Sequence, residues 1–479
     1  MGQRRPDQVR IALERAHSVR AGSSGVANGP TVEPTALPAD PAEAAPAASG
    51  KGHWYTVVML ALVVMLAQID RGVISLMVQP MKRDLALTDT QVSLLIGLAF
   101  TFFYVIVGPP VSRFADRGFR KAVVATSLAV WSCATALCGL AQNFWQLALG
   151  RAVIGGAESA SSPASLSMIA DVIPREKLPR AYAIYNAGFT GGGALALVLG
   201  GLLLGLFAGM EPIEVPGIGV IRNWQLVFVV LGLPGILVAL LIVFTVPEPQ
   251  RKGRARPKGY PLREVIGSLA QNRAMHVPLL AGVLLNSIQS FGAAAWMPAF
   301  YERSYGWGPA VVGPLLGSIN LTMSLSGLFA GAMFAEWLGK RRDDANLRVL
   351  FLANALAVPF SVLQPLMPTP GLAMTMGALS VFIAVMGGAS YNSAIQLATP
   401  NAMRAQVNAL YLFMIAAIGG ALGPLLIALL TDFVAGNEAH LRYVLVGFRA
   451  VLAPLDAFLI WLAIRPYGRA YRQRIEEGE

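Results

Sequence analysis

Four charged residues lie in segments of the sequence that are otherwise apolar. Asp70 and Arg71 interrupt the run YTVVMLALVVMLAQIDRGVISLMVQ, and Arg151 and Glu158 interrupt a later run. Arg151 and Glu158 are seven residues apart, which is two helical turns or ~10.5 Å, so they share one face of a helix. Because a charge at the centre of a bilayer costs at least ~2.5 kcal/mol, each of the four needs a partner or water. Acids and guanidinium groups at this depth could exchange a proton or an anionic solute.

The elements that carry these residues are predicted membrane spans. Hydrophobic residues make up 55% of the chain and charged residues only 13%, far from the balance of soluble domains. Apolar runs of about 20 residues match the length that a helix needs to cross a bilayer, and the alternation typical of barrel strands is absent. We therefore predict an all-α membrane protein with twelve transmembrane helices, at 54–79, 90–112, 122–141, 144–169, 180–207, 224–246, 276–300, 309–335, 347–367, 371–397, 405–430 and 442–464.

The depth of the four charged residues allows them to pair. Counted inward from the span ends, Asp70 and Arg151 lie slightly to the outer side of the midplane and Glu158 lies near it. A low dielectric favours the neutral form of a carboxyl group, so Glu158 is the predicted proton carrier, while Asp70 beside Arg71 stays ionised more readily. An ion-pair network that only specifies packing is the alternative. Histidine is excluded as the carrier because all four histidines fall in tails, in loops or at span ends: His17, His53, His276 and His440.

The ends of the chain and its positive charges predict an orientation. Residues 1–52 contain Arg but no apolar core of a secretory signal, which indicates a disordered cytosolic tail, with a mitochondrial-type presequence as the alternative. Most of the 37 Lys and Arg residues fall in the tails and in loops on the same side as the termini. This predicts cytoplasmic termini in a bacterial inner membrane. The topology explains the net charge of +11 without a nucleic-acid partner.

The chain contains an internal repeat. A shift of 220 residues aligns IDRG (69–72) with QSFG (289–292) and FADRGFRK (114–121) with FAEWLGKR (334–341) without a gap. The repeat predicts two six-helix halves in the same orientation, at 53–246 and 276–465, with a basic linker at 247–275 and a cytosolic tail at 466–479. Parallel repeats of this kind are one architecture of secondary transporters, which hold their substrate near the midplane between the halves.

The second half lacks counterparts of the four charges. Asp70 and Arg71 align with Ser290 and Phe291, and Arg151 and Glu158 align with Ile383 and Ser390. We therefore predict an ionic half that faces a half with neutral polar residues, the candidates for lining the cavity being Asn286, Gln289, Ser290, Asn320, Ser390, Tyr391, Asn392 and Gln396.

Two further groups of residues indicate no catalytic role. Arg449 and Asp456 in the last span are also seven apart, and we expect them to be structural, with Arg449 near enough to the surface to extend its charge into water. Cys133 and Cys138 lie on different faces of one span and fit packing better than a disulfide or metal site. The sequence contains no cluster with metal-ligand spacing, phosphate-binding loop or nucleophile with a base. We predict no enzyme activity and no cofactor.

The loop SRFADRGFRK resembles the loop between the second and third helices of the major facilitator superfamily. AEWLGKRR is its second copy in the other half, although Ser112 and Phe119 stand where the family often has glycine. The resemblance implies the major facilitator fold and a charge cluster that holds the inner gate. The gating residues that it implies are Asp116, Arg117, Arg120 and Lys121, with Glu336, Lys340 and Arg341 as a weaker second set. A loop that is basic only for topology is the alternative.

Within that superfamily the first half is most similar to the Spinster-type transporters. The similarity rests on IDRGVIS, LTDTQVSLLIGLAFTFFY, WSCATALCGLAQNFWQLALGR and GRAVIGGAESASSPASLSMIADVIP and covers about residues 55 to 250. In that family the acid and Arg of the first helix and the Arg and Glu of the fourth line the cavity and serve substrate and proton coupling. The resemblance therefore assigns these roles to Asp70, Arg71, Arg151 and Glu158.

These observations predict a secondary transporter that works by alternating access. We expect a monomer in the lipid bilayer that couples protons to an anionic or amphipathic organic solute, either lysolipid-like or an organic acid, with neutralisation of Glu158 releasing its hold on Arg151. An uncoupled facilitator or multidrug-type exporter is one alternative, and a membrane sensor that binds without transport is another. The fifth span has GFTGGG rather than the GxxxGP associated with antiporters, so the direction of transport stays open.

Overall fold

The structure is a computed structural model that describes residues 51–116, 119–217, 219–249, 260–400 and 403–476. Within these ranges, eleven helices are long and apolar enough to cross a membrane. Helices dominate because a bilayer offers no water to the backbone, so each span must satisfy its own peptide groups. The eleven are His53–Leu85, Asp89–Val111, Arg120–Cys138, Arg175–Phe207, Asn223–Thr245, Arg273–Tyr305, Pro309–Gly339, Ala345–Leu366, Pro370–Ala398, Gln406–Ala435 and Glu438–Arg474.

The fourth predicted span is present as two shorter helices. Phe144–Glu158 and Ser161–Val172 are separated by a turn at 159–160. Pro163 accounts for the break, because proline lacks the N–H that would bond to residue 159 and its ring clashes with that carbonyl group. With this broken span the twelve predicted crossings are all present, and the break falls directly after Glu158. The spans are numbered first to twelfth below, with the fourth comprising both short helices.

Two other spans carry local irregularities close to the charged residues. The first span continues from Lys51–Val73 through a 3-10 turn at Ile74–Met77 into Val78–Leu85. The second span widens into a π turn at Leu94–Leu98 between Asp89–Ser93 and Ala99–Asp116. Such a π turn frees backbone groups from the regular ladder and is frequent at functional sites.

The remaining helices complete the bundle. The structure describes them as Arg175–Lys177, Leu178–Phe207, Leu262–Gln271, Ala345–Leu363, Gln364–Leu366, Arg404–Met414, Ile415–Gly419, Gly420–Leu429, Leu430–Ala435, Glu438–His440 and Leu441–Glu476, besides those that coincide with the spans given above.

Three features depart from the sequence-based description. Ile213–Val215 and Gly219–Ile221 pair as an antiparallel hairpin, whose turn uses Gly217 at a φ of +81°. Leu262–Gln271 is a helix inside the predicted linker. The twelfth helix continues without interruption to Glu476, through most of the predicted C-terminal tail.

The two halves meet along close helix contacts. A Cβ atom on Gly313 in the eighth span would lie 2.5 Å from the carbonyl oxygen of Leu197 in the fifth, and one on Gly97 in the second would lie 2.5 Å from that of Gly420 in the eleventh. Small residues are needed where helix backbones approach this closely. We call the face where the first span begins and the twelfth ends the termini face, and the opposite face the far face. The fifth and eighth spans meet in their portions nearest the far face.

Candidate functional site

Asp70 and Arg151 form a closed ion pair between the first and fourth spans. Arg151 Nη1 lies 3.4 Å from Asp70 Oδ2, and Thr135 of the third span donates to Asp70 Oδ1 at 2.6 Å. Arg151 Nε donates to the carbonyl oxygen of Leu95 at 3.2 Å, inside the π turn of the second span. The side chains of Asp70 and Arg151 are only 6% and 1% exposed. Residues of four spans therefore hold this pair in place. Both carboxylate oxygens of Asp70 have a described partner.

Arg71 and Glu158 form the second pair, which corrects the expectation that Glu158 grips Arg151. Arg71 Nη2 lies 2.6 Å from Glu158 Oε1. The direction of the side chains explains this pairing, because a side chain on a helix leans toward the N-terminus of that helix. Arg71 on the first span thus reaches back toward the depth of Glu158, two turns from Arg151. The structure brings all four predicted residues together, in a pairing that the sequence did not give.

Aromatic rings support both guanidinium groups. The Arg71 guanidinium carbon lies 4.6 Å from the centroid of the Phe100 ring and 5.0 Å from that of Tyr104, and the Arg151 carbon lies 5.3 Å from that of Phe100. Cation–π contacts contribute about 0.5 to 2 kcal/mol, more where water is excluded. Phe100 thus lets two like charges approach each other.

Gly155 makes this geometry available. It lies between Arg151 and Glu158 in the sequence, and a Cβ atom there would be 2.2 Å from the carbonyl oxygen of Phe100. Only glycine lets the fourth span come this close to the second. The close approach puts the ring of Phe100 beside the guanidinium groups.

The two ion pairs differ in access and in unused bonding capacity. The side chain of Arg71 is 32% exposed, in contrast to the 1% of Arg151. Arg71 Nε and Glu158 Oε2 are buried and have no hydrogen-bond partner among the described residues. Buried polar atoms without partners are rare in native structures and call for an explanation. This pair can therefore gain a bond to a proton or solute, while the Asp70–Arg151 pair is already satisfied.

The predicted cavity residues of the second half occupy different environments. Gln289 is buried and donates to Asp456 Oδ2 of the twelfth span at 2.8 Å, so its amide is engaged away from the four charged residues. Ser390 and Tyr391 are buried, and their hydroxyl groups lack a partner among the described residues. The other five are half-buried or exposed: Asn286, Ser290, Asn320, Asn392 and Gln396.

Asp456 is surrounded by amide groups. It is 2% exposed, and besides Gln289 it accepts a bond from Asn354 of the ninth span at 3.4 Å. Asn286 of the seventh span is a third hydrogen-bonding neighbour. Arg449, the residue with which the sequence associated it, is two helical turns away, or ~10.5 Å along the axis.

At the termini face, Arg120 is the centre of the first predicted gating cluster. It is 1% exposed, forms an ion pair with Asp171 at the end of the fourth span, and donates to the carbonyl oxygen of Pro249 at 2.8 Å. The backbone N–H of Lys121 donates to Glu248 at 2.7 Å. These contacts join the third, fourth and sixth spans within the first half. Asp116 ends the helix of the second span, and the prediction for Arg117 lies outside the described residues.

The second gating cluster is exposed. Glu336 and Lys340 form a pair at 3.4 Å with side chains that are 75% and 72% exposed, and Arg341 lies over the ring of Trp337. Nearby, Asp344 accepts a 2.7 Å bond from Arg348, and this bond lowers the pKa of Asp344 below its usual value. Exposed pairs of this kind contribute below about 1 kcal/mol.

At the far face, a polar network that the sequence did not predict joins the two halves. Arg303 at the end of the seventh span binds both carboxylate oxygens of Asp89 in the second span, each at 2.7 Å. Lys82 of the first span lies 2.5 Å from Asp89 and 2.6 Å from Glu438. Asp432 accepts bonds from the Thr90 backbone and hydroxyl groups at 2.7 and 2.6 Å. We call these residues the far-face network.

Arg303 and Asp89 form the core of the far-face network. Their side chains are 4% and 0% exposed, and bidentate binding of a carboxylate is the strongest geometry available to Arg. Breaking such a pair would leave an uncompensated buried charge. The second and seventh spans, one from each half, are therefore held together firmly at this face.

Metal binding finds no support in the part of the chain that the structure describes. No group of three or more His, Cys, Asp and Glu residues there could hold a metal ion.

Two helical halves that enclose buried, paired charges define a class, that of secondary membrane transporters. The chain belongs to the Major Facilitator Superfamily, whose family model matches residues 60–424. It is 28% identical over 427 residues to an MFS-type efflux pump of Mycolicibacterium smegmatis, covering 87% of this chain and 94% of the pump. It is 25% identical over 272 residues to a galacturonate transporter of Dickeya chrysanthemi, covering 53% of this chain and 73% of that protein.

A solved structure supports the same conclusion. The fold is similar to that of a bacterial homologue of the human lysosomal transporter Spinster, in an inward-facing and unoccupied conformation, with a TM-score of 0.74 and 25% identity over 89% of this chain and 98% of the other. The predicted fold class, the superfamily and the Spinster-like resemblance are confirmed. The relatives are transporters, in agreement with the prediction that the chain is not an enzyme.

Proposed function

We propose that this protein is a proton-coupled transporter of an anionic or amphipathic organic solute, with Arg71 and Glu158 as its exchangeable pair. One observation carries the proposal. Arg71, whose side chain is 32% exposed, is paired with a buried carboxylate that has one oxygen without a partner among the described residues. A proton bound at Glu158 Oε2 neutralises the acid, and Arg71 is then free to bind an anionic group. Asp70 and Arg151 remain paired and keep the first and fourth spans in place.

The far-face network supports alternating access. It closes the side opposite the termini by joining Asp89 of the second span to Arg303 of the seventh. Among the described residues, the predicted second gating set at the termini face forms an exposed pair of Glu336 with Lys340 and a contact of Arg341 with the Trp337 ring. A structure closed at the far face and weakly held at the termini face fits one end state of a rocking transporter. We assign the termini face to the cytoplasm of a bacterial inner membrane, because most Lys and Arg residues lie on that side.

The substrate class follows from the exposed cation. Arg71 offers a planar, permanently charged group that suits a carboxylate or phosphate, and its aromatic neighbours Phe100 and Tyr104 suit an apolar portion of the solute. A galacturonate transporter among the relatives supports an organic acid. A multidrug-type exporter is the second candidate, favoured by the similarity to an efflux pump along most of the chain.

Flux in proteoliposomes tests the proposal. The full chain is reconstituted with a trapped pH dye, and galacturonate, a lysophospholipid and a cationic dye are offered under a proton gradient. We expect gradient-driven accumulation of one of the two anionic probes. Glu158→Gln should reduce accumulation to the passive level while leaving counterflow intact. The matched control, Glu176→Gln, changes an exposed acid in the 3-10 turn Arg175–Lys177 that begins the fifth span and should behave as the wild type.

Two outcomes would overturn the proposal. Accumulation by Glu158→Gln at the wild-type level would exclude Glu158 as the coupling acid. Binding of a probe by the wild type without counterflow would indicate a sensor.

A further inference from the structure

The second half contains an acid that the transport cycle proposed above does not use. Asp456 lies at the middle of the twelfth span and is 2% exposed. Gln289 Nε2 lies 2.8 Å from its Oδ2 atom and Asn354 Nδ2 lies 3.4 Å from its Oδ1 atom. Both carboxyl oxygens thus face amide donors, from the seventh and ninth spans.

The described neighbours of Asp456 provide no compensating charge. Its interactions are with the amides of Gln289, Asn286 and Asn354. The charged and titratable groups on the helices packed against Asp456 make no described contact with it. On its own helix they are Arg442, Tyr443, Arg449, Arg465, Tyr467, Arg469, Tyr471, Arg472, Arg474 and Glu476; on the seventh span Arg273, His276, Tyr301, Glu302, Arg303 and Tyr305; on the ninth Arg348; on the tenth Tyr391; and on the eleventh Arg404, Tyr411 and Asp432.

This environment suits a group that changes its charge. An ionised carboxylate at this depth costs at least ~2.5 kcal/mol, and neutral amides supply dipoles but no countercharge. A bound proton removes the charge. The carbonyl oxygen of the neutral acid still accepts from an amide N–H, and its O–H can donate to the oxygen of a neighbouring amide. The acids of the first half differ, because each of them has a guanidinium partner that compensates its charge until that partner is drawn away.

We propose that Asp456 is a second proton-binding site, separate from Glu158. The site goes beyond the coupling function proposed above, since it belongs to the other half and has its own amide partners.

The position of the site links it to the far face. Gln289 lies on the seventh span, and a Cβ atom on Gly282 of that span would be 3.0 Å from the backbone oxygen of Asp456, so the two helices are in close contact. The same seventh span ends at Arg303, which binds Asp89. A proton on Asp456 weakens the hold of the carboxylate on Gln289, because a neutral acceptor bonds less strongly than an ionised one. Protonation therefore changes how the helix that closes the far face is anchored.

Infrared difference spectroscopy across a pH titration tests the site directly. The full chain is reconstituted in lipid vesicles in potassium buffer, and the probe is the proton itself. We expect the carboxylic-acid carbonyl band that grows as the pH falls to lose one component in Asp456→Asn, and we expect that component to persist in Glu158→Gln. The persistence in Glu158→Gln separates this site from the coupling acid, so the test stands even if the flux experiment fails.

Two results would overturn the inference. One is a titrating carbonyl band that keeps its full wild-type amplitude in Asp456→Asn. The other is a band that responds to sodium replacing potassium at constant pH, which would indicate a cation site. If Asp456→Asn does not fold, Gln289→Leu decides, because loss of one donor weakens the ionised form and the acid band should persist to higher pH. An unchanged titration in that variant would also refute the site.

Discussion

Glu158 in the fourth span and Asp456 in the twelfth are both almost fully buried acids, yet their surroundings differ. Glu158 is paired with Arg71, whose side chain is partly exposed, and the described partners of Asp456 are all amides. The ion pair of Glu158 with Arg71 separates when an anion binds Arg71 or a proton binds Glu158. The amide partners of Asp456 carry no charge, so only a proton or a cation can neutralise that carboxylate. The comparison suggests that solute exchange belongs to the first half and a solute-independent proton response to the second.

The largest effect is expected when the cation is removed from the closed ion pair of Asp70 and Arg151. Arg151→Met leaves Asp70 buried with Thr135 as its remaining described side-chain partner. We expect it to lower the free energy of unfolding by about 3 to 5 kcal/mol. Thermal unfolding in detergent measures the effect. The double variant Asp70→Asn/Arg151→Met should recover much of the loss, and a double variant as unstable as the single one would show that charge pairing is not the cause.

Removal of the accessible cation should affect binding more than stability. Arg71→Met loses a charge-assisted hydrogen bond to the solute, and such bonds contribute about 1.5 to 3 kcal/mol, so affinity for the anionic probe should fall about 10- to 100-fold. Equilibrium binding of the probe accepted in the flux screen measures this. Because the Arg71 side chain is 32% exposed, Arg71→Met should lower the free energy of unfolding less than Arg151→Met does. Unchanged affinity would exclude Arg71 as the solute-binding group.

The far-face network offers a test of conformation. Arg303→Gln removes the bidentate bond to Asp89, so the far face should open more often. In a background with Cys133 and Cys138 replaced by Ser, a cysteine at the buried position Ser93 should react faster with an impermeant maleimide. The matched control is Arg83→Gln, since Arg83 is 70% exposed and 3.9 Å from Glu302. Equal labelling rates in both variants would contradict the proposed closure.

The smallest effect is expected at the exposed gating pair. Lys340→Gln removes an exposed pair with Glu336, and the free energy of unfolding should change by less than about 0.5 kcal/mol. Thermal unfolding of Lys340→Gln and Arg120→Gln measures both effects. Arg120→Gln should be the more destabilising variant, because Arg120 is buried and paired with Asp171. A larger effect at Lys340 than at Arg120 would reverse the ranking of the two loops.

The sequence predicted the fold more completely than the site. Apolar run lengths located all twelve crossings, because bilayer thickness fixes helix length. The break after Glu158 escaped prediction although Pro163 marked it, since hydropathy does not register a local turn. The hairpin at 213–221 and the helix Leu262–Gln271 escaped because neither crosses the membrane.

Depth and helical spacing were enough to group Asp70, Arg71, Arg151 and Glu158, but not to pair them. Pairing depends on the direction of each side chain and on the close approach that Gly155 allows. The bond between Asp89 and Arg303 joins residues 214 positions apart, and no local pattern in one sequence reports such a contact. The same applies to Gln289, whose partner Asp456 lies 167 positions away.

The central claim, that Glu158 exchanges a proton when a solute binds Arg71, is tested most directly by calorimetry. Binding of the accepted anionic probe is measured in two buffers with different protonation enthalpies. The wild type should take up about one proton per bound solute, because Glu158 loses its guanidinium partner. Asp456→Asn should keep this uptake, and Glu158→Gln should bind the probe without it. Proton uptake by Glu158→Gln equal to that of the wild type would contradict the account.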